Sequence, residues 1–357
     1  MKRFALIGLV LAAVALVPAH VRVQEPGYPM TVIPIAKGPF NFPPGYQTPW
    51  EKIEIRVTEK MSPNLFVLHG SQSLDTAHPD ASGGRAMALF GPDGVLMVDS
   101  QNRQVGEKTL KAVRSFTDGP IRIVVNTHIH SDHTGANAVF SKQGALIYAQ
   151  ENLRNEMLRP PARANGQPAP APDMADVPVV TYNYNKATEG QPAVTFYMNG
   201  ETVDFIPMMP SHTAGDTIVR FRKANVIYIE DFYRNFGYPF ADHNNGGSLQ
   251  GMLDAVNLIQ KLADDKTTLI PGHGTLVKKQ DLLPYAAMIK DVMSKVKTLR
   301  DQGKSLEDVL AANLLAPYEG KTMGDTQQSK DRFITEAYDE VKDFPPVVDG
   351  KRTMPRR

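Results

Sequence analysis

One stretch limits what this chain can fold into more than any other: Thr127-His128-Ile129-His130-Ser131-Asp132-His133-Thr134-Gly135. Four potential metal ligands fall within six residues, directly after the apolar, β-branched run from Ile121 to Val125. So short a run predicts a buried strand that delivers the cluster to a sheet edge. Side chains alternate along extended backbone, so His128 and His130 project to one side. A turn at Ser131 then carries Asp132 and His133 to a second point nearby. Imidazole and carboxylate donors in this number suit zinc, with a coordination position left open, which a polar helix cap has no need of.

The same arrangement recurs along the chain. Val95 to Val98 ends in Asp99, and Phe205 to Ser211 leads to His212. Val226 to Glu230 ends in Asp231, and Thr268 to Gly272 ends in His273. Five of the nine histidines follow apolar runs in this way. Layered α/β proteins place their sites at the carboxyl ends of strands, so a sheet that gathers these ends converges five imidazoles with Asp99, Asp132 and Asp231.

The surrounding sequence supplies such layers. Strand-like runs cover Ile53 to Val57, Leu65 to His69, Ala86 to Phe90 and Val95 to Val98, the last two joined by the turn Gly91-Pro92-Asp93-Gly94. Further runs lie at Ala193 to Tyr197, Glu201 to Ile206, Thr217 to Phe221, Val226 to Ile229 and Thr267 to Ile270. Helical spacing marks residues 104–117, 135–141, 248–262, 282–300, 306–314 and 331–341. The alternation predicts an α/β domain over 53–345, preceded by an irregular Pro- and Gly-rich arm (20–52) and followed by a basic tail (346–357). Between Arg159 and Val180 the Pro- and Ala-rich composition predicts a mobile loop, either a lid or a spacer. Gly83-Gly84 and Gly246-Gly247 read as turns.

Residues 1–19 have a charged start (Lys2, Arg3), an apolar stretch to Val17 and small residues before a cleavage point after Ala19. This is the pattern of a secretory signal, too short to span a membrane comfortably. The mature chain is expected in the periplasm or outside the cell, without stable membrane insertion. There is no cysteine, which excludes disulfides and thiolate ligands. A net charge of +1 gives no field favouring nucleic acid. The expected partner is a small-molecule substrate, and oligomeric state is left open.

His-x-His-x-Asp-His at 128–133, Ser211-His212-Thr213-Ala214-Gly215-Asp216-Thr217, Asp231 and Pro271-Gly272-His273-Gly274 together resemble the metallo-β-lactamase superfamily, over roughly Asn64 to Lys279. The resemblance implies a four-layer αββα sandwich holding two divalent ions, zinc by ligand chemistry. It implies a first ion on His128, His130 and His212, and a second on Asp132, His133 and His273. Asp231 would bridge them and Asp99 would orient a ligand imidazole from behind. The implied reaction is attack of a shared hydroxide on an ester or lactone carbonyl, with Asp132 able to relay a proton to the leaving group.

Departures from the family pattern narrow this. Glu230 stands where glycine is common, and strand alternation predicts that it points away from the metals. True β-lactamases of the superfamily generally lack the bridging aspartate, and one major subclass uses a cysteine ligand, so Asp231 and the missing cysteine favour esters or lactones. A β-lactamase is the alternative within the fold. Thioester hydrolysis is disfavoured because the C-terminal helices lack the glutathione-binding pattern of glyoxalase II. Balanced charge disfavours a nuclease, and the full second ligand set disfavours a one-iron sulfur dioxygenase. From another class, a non-catalytic metal-binding protein would use the same residues. In the loop Phe232 to Phe240, Arg234 is expected to anchor an acid group with Tyr233 or Tyr238 lining the pocket; the competing expectation is aromatic packing with Arg234 solvated.

Overall fold

The computed structural model describes residues 48–72, 83–159, 170–235, 237–320 and 326–343. The signal segment, most of the N-terminal arm, the first half of the Pro-rich stretch and the basic tail lie outside the described residues. Among those described, no helix is long and apolar enough to cross a membrane.

Two sheets carry the fold. In the first, β1 (Ile53–Ser62), β2 (Leu65–Gln72), β3 (Ala86–Gly91) and β4 (Gly94–Val98) form an antiparallel meander, including the expected hairpin. β5 (Ile121–Val125), β6 (Leu146–Gln150) and β7 (Val180–Tyr182) continue it in parallel, in the order β1 to β7. In the second, β8 (Val194–Met198), β9 (Glu201–Pro207), β10 (Thr217–Phe221) and β11 (Val226–Glu230) are antiparallel, and β12 (Thr268–Pro271) lies parallel to β11. Parallel neighbours need crossovers, which helices supply. α1 (Gly106–Arg114) joins β4 to β5, α2 (Ser131–Thr134) and α3 (Asn137–Ser141) join β5 to β6, and α4 (Glu151–Leu158) leads towards β7. α5 (Leu249–Leu262) joins β11 to β12, and α6 (Leu282–Asp301), α7 (Leu306–Ala311) and α8 (Gln327–Asp343) complete the chain.

Strand alternation sorts the apolar residues into three cores. In β3 and β4, Ala86, Ala88, Phe90, Val95 and Met97 face Val113 of α1, Phe116 just beyond that helix and Phe140 of α3. Their neighbours Met87, Leu89, Leu96 and Val98 turn the other way, against Phe205, Val219, Phe221 and Tyr228 of the second sheet. The far face of that sheet, with Ile206, Ile218, Ile227 and Ile229, packs on Leu253 and Val256 of α5, Ile289 and Val292 of α6, and Phe333 of α8. Three cores between four layers make the αββα sandwich, and strands buried on both faces explain their nearly unbroken apolar runs. Full burial of one such side chain contributes about 1.5–3 kcal/mol.

The sequence reading overlooks β6, α4 and β7. α4 buries only Leu153 and β7 has three residues, so neither carries a strong period. The Pro-rich stretch also differs from a mobile spacer where it is described. Val177 is buried, and the Asp176 carboxylate accepts hydrogen bonds from Arg103 and from the Ala138 N–H at the start of α3. α8 starts four residues before the expected 331, a difference that bears on the site.

Candidate metal centre

The sheets meet along the edge where the predicted ligands gather. Thr217 N donates to Thr127 O at 2.8 Å, and Arg85 N donates to Gly272 O at 3.0 Å, tying the two sheets together on either side of the cluster. β5 ends at Val125, and the following turn brings His128 and His130 to ring-centroid separations of 4.7 Å from His212. His128, His130 and His212 each offer a nitrogen within 4.8 Å of the others. Asp132, His133 and His273 form a second such group, and His128, His133 and Asp231 a third that overlaps both. Asp231 lies between the first two: its Oδ2 is 3.8 Å from His212 Nε2 and 3.2 Å from His273 Nε2, and its Oδ1 is 3.7 Å from His133 Nε2.

Three of the imidazoles, His133, His130 and His212, are aimed from behind. Asp99, buried in left-handed backbone (φ 59°), accepts from Thr127 N at 2.8 Å and Thr127 Oγ1 at 2.7 Å, and its Oδ2 lies 2.7 Å from His133 Nδ1. The structure thus brings Asp99 to the orienting place expected of it, with His133 Nε2 left to face the cluster. His130 turns the opposite way: Nε2 is 2.8 Å from Asp242 Oδ2, and Nδ1 faces His212 Nε2 at 3.0 Å. His212 Nδ1 meets Phe240 O at 2.7 Å. The turn that carries His212 is wound round the Asp216 carboxylate, which accepts from Ser211 Oγ at 2.6 Å, His212 N at 2.7 Å and Thr213 N at 3.0 Å.

The donor set could hold metal. His128 Nε2, His133 Nε2 and Asp231 Oδ1 are buried without a hydrogen-bond partner, a cost that a shared cation would remove. Every donor in these groups is nitrogen or carboxylate oxygen. Burial and the neighbouring His133 and His212 hold the His128 imidazole well below the usual range, and burial with His130 brings His212 down to about 3. Burial works the same way on His133 and His273, but carboxylates outweigh it. Asp132, Asp99 and Asp231 hold His133 up at about 9, and Asp231 with Asp132 holds His273 up at about 10.

Residues 80–273, more than half of the 357, match the family model of the metallo-beta-lactamase superfamily. The chain belongs to that superfamily. Among solved structures, a metallo-beta-lactamase from Pontibacter korlensis aligns with a TM-score of 0.50 at 14% identity, covering 67% of this chain and 100% of that one. The stereoselective inverting sec-alkylsulfatase Pisa1 from a Pseudomonas species aligns with a TM-score of 0.57 at 14% identity, covering 78% of this chain and 49% of the alkylsulfatase. The chain therefore spans about half of that second structure. At these identities the likeness is one of fold. No curated protein sequence gives a significant match.

Within this superfamily site, several expectations need correction. Glu230 carries its side chain away from the ligand atoms but not out of the site. Pairing of β11 with β12 slips between Tyr228 and Glu230, and Glu230 adopts φ 50°. A bulge of this kind re-aims the side chain. Its buried carboxylate accepts from Asp231 N at 2.5 Å and Phe232 N at 2.9 Å and lies 3.6 Å from His128 Nδ1, behind the ring. Burial, then Asp216 and Asp231, pushes the Glu230 carboxyl well above the usual range. Gly83-Gly84 is more than a turn: Gly84 N donates to Asp132 Oδ2 at 3.0 Å, and a Cβ at Gly84 would meet His133 Cε1 at 2.2 Å. Tyr238 does not line a pocket; it is fully buried, stacked on Phe333 at 6.3 Å. Tyr233 and Arg234 do line a cavity, of about 200 Å³, with Tyr285, Met288 and Tyr318.

Sequence reasoning missed the supports. Arg85 is buried and donates to Pro271 O at 3.2 Å and to Gly274 O, clamping the turn that carries His273. α8 fastens the 238–250 segment. Tyr238 N donates to Ser329 Oγ at 2.8 Å and Ala241 N to Glu336 at 3.0 Å, while Glu340 accepts from Ser248 Oγ at 2.8 Å and Leu249 N at 2.6 Å. Asp242 and Phe240 O, which aim His130 and His212, sit in that segment. Nothing in the sequence paired Asp242 with residue 130.

Proposed function

We propose that the chain is a binuclear zinc-dependent hydrolase of carboxylic esters or lactones. The observation that carries this reading is Asp231, seated between the two histidine clusters with one carboxylate oxygen left over. His128, His130 and His212 would hold one ion, Asp132, His133 and His273 the other, and Asp231 both. Two divalent ions there would supply a water activated near neutral pH and a Lewis acid for the scissile bond. The chain's own residues do the rest. Asp99 fixes His133, Asp242 fixes His130 and Thr127 Oγ1, at 3.1 Å from Nδ1, fixes His128, so these rings each present one defined nitrogen. Gly84 closes over His133 and holds Asp132, whose carboxylate stands at the mouth of the second cluster, where a proton can pass to a leaving group. Asp132 is partly exposed and Asp231 buried, which suits the first to proton traffic and the second to holding charge in place.

Held by Asp231 together with the two histidine clusters, two ions would supply Lewis-acid stabilisation for a developing alkoxide, which suits an unhindered ester or lactone carbonyl. β-Lactams need a departing nitrogen stabilised and a fused ring admitted, so they are expected to react poorly. The fold neighbours include a metallo-beta-lactamase and an alkylsulfatase. The deciding experiment therefore measures kcat/KM for lactones, carboxylic esters, carbapenems and alkyl sulfates with zinc saturating. Highest efficiency on esters or lactones is expected, together with loss on chelation. Efficient carbapenem turnover with inert lactones would make the chain a β-lactamase with a bridging aspartate, and metal binding without turnover of any class would make it a binding protein.

A further inference from the structure

His273 differs from the other four imidazoles of the two clusters. Asp99 stands behind His133, Asp242 behind His130, Phe240 O behind His212 and Thr127 Oγ1 behind His128. His273 points Nε2 at Asp132 Oδ2 and Asp231 Oδ2, 3.0 and 3.2 Å away, but its Nδ1 is buried without a hydrogen-bond partner. A metal-binding imidazole normally commits its second nitrogen to a partner that fixes the ring. With none present, the ring must be held through its backbone. Arg85, 4% exposed, lies across that turn: Nη1 donates to Pro271 O at 3.2 Å and Nη2 to Gly274 O, carbonyls on either side of His273. Its own backbone is pinned at both ends, with N donating to Gly272 O at 3.0 Å and O accepting from the Tyr228 hydroxyl at 2.9 Å.

We propose that Arg85 is a positioning residue for the second ion, taking the place of the partner that His273 lacks. This rests on the reading of the clusters as metal sites, and not on which bond is hydrolysed. Packing alone gives no reason for an arginine here. Among the described residues no acid lies at ion-pair distance from Arg85, and its Nε is buried without a partner. Burying a guanidinium without a counter-charge is costly, and an apolar side chain of similar volume would avoid that cost. An apolar chain cannot bond two carbonyls at once. The planar fork of arginine does so in fixed geometry, whereas the ammonium of lysine is a single point.

The residues just before Arg85 serve the other two ligands of the same ion. Gly84 N donates to Asp132 Oδ2 at 3.0 Å, and a Cβ at Gly84 would collide with Cε1 and Nε2 of His133, the second being the nitrogen that faces the cluster. Gly83 O lies 3.1 Å from His69 Nε2, which ties this strap to β2. Residues 83–85 therefore touch Asp132, His133 and the turn of His273. Among the described residues none of their hydrogen bonds reaches His128, His130 or His212, so their influence falls on one ion. Asn235 fastens the far end of the turn, its Oδ1 accepting from Thr275 N at 2.9 Å, but it bonds neither carbonyl that Arg85 holds. The charge of Arg85 opposes an incoming cation while its hydrogen bonds hold a ligand ready for one. Removing the side chain therefore gives opposite signs according to which effect wins.

The test reads metal affinity, not turnover. Zinc binding is measured by chelator competition in the native chain and in Arg85→Gln, Arg85→Lys and Gly84→Ala, with His128→Ala and His273→Ala as references that tell the two sites apart. Arg85→Gln should weaken the second ion roughly 10- to 100-fold and leave the first as it was, with Arg85→Lys between native and Gln. Gly84→Ala should lose the second ion and keep the first. Tighter binding of the second ion in Arg85→Gln would show that repulsion outweighs positioning and overturn the proposal. So would unchanged affinity, or equal losses at both sites, which is what a general loosening of the fold produces. Should Arg85→Gln fail to fold, Arg85→Lys and Gly84→Ala decide by the same criterion, a loss confined to the second ion. A native chain that binds no zinc at either cluster sinks the metal reading and this proposal with it. Two ions in the native chain, with unselective losses in the variants, sink the proposal alone.

Discussion

His128 and His212 are buried among other imidazoles, whereas His133 and His273, a few ångströms away, are buried among carboxylates. The same residue type is therefore prepared for a cation in two ways. In the metal-free chain the first pair is driven neutral, by burial and by mutual repulsion, with lone pairs already exposed to an incoming ion. The second pair keeps its protons, because Asp132 and Asp231 favour the charged ring more than burial opposes it. The difference teaches that burial alone does not set a histidine's state here; the sign of its nearest neighbours does.

The strongest break of this comparison is to delete one ligand from each side. His128→Ala should lose the first ion and nearly all hydrolysis. His273→Ala should keep the first ion, lose the second and also lose nearly all hydrolysis if both ions are needed. Metal content by elemental analysis, read beside kcat/KM, separates the two. Full activity in His273→Ala would show that one ion suffices.

A smaller effect tests the protonation difference directly. An ion entering the second cluster must displace the protons on His133 and His273, which sit at about 9 and about 10. An ion entering the first displaces none from His128 or His212. Zinc uptake at pH 7 should therefore release more protons with the second ion than with the first, and affinity for the second should fall steadily as pH drops below 9. Calorimetry in buffers of different ionisation enthalpy counts the protons. Equal pH slopes for both ions would dissolve the distinction.

Supports come next in size. Asp99→Asn should weaken the second ion and Asp242→Asn the first, each by about 10- to 100-fold, because each carboxylate fixes one ring. Zinc-competition titrations of the two variants, run side by side, show whether each effect stays in its own cluster. Loss of both ions in either variant would mean that the clusters are organised as one unit.

How far the sequence reached follows the same division. His128, Asp132, Asp231 and His273 stood out because apolar runs lead to them, and a short apolar run is a local signal that survives without tertiary context. The layering came from the family resemblance and not from these runs: Met87 and Ala88, or Leu96 and Met97, fall on opposite faces, but all four are apolar and nothing local assigns each to its core. The outer supports were not legible. Arg85 reaches residues 271 and 274, Glu340 reaches 248 and 249, and Asp242 reaches 130. Each is a single polar residue whose meaning lies in a partner about 90 residues away or more, and no spacing rule connects them. Glu230 failed differently. Alternation gave its direction correctly, but the slip after Tyr228 and the left-handed backbone place it behind His128, a detail only the β11–β12 register reveals.

The smallest expected effect concerns α8, the helix on which the first cluster leans and the second does not. Glu336 accepts from Ala241 N at 3.0 Å, and burial pushes its carboxyl up to about 8 from an ordinary 4.5. Between those values the folded chain holds a proton that the unfolded chain releases, so this group's contribution to stability falls as pH rises from about 4.5 to about 8. Glu336→Gln keeps an oxygen for Ala241 N and removes the titration. The variant should therefore match the native chain near pH 4.5 and gain on it steadily up to pH 8, when both are unfolded in urea without metal. The same variant should hold the first ion more evenly across that range, since Asp242 follows directly on Ala241, and should leave the second ion unchanged. Stability curves that run parallel across the range would mean that Glu336 is already ionised in the fold, held charged by Arg332, and that α8 supports the first cluster through Ser329, Phe333 and Glu340 alone.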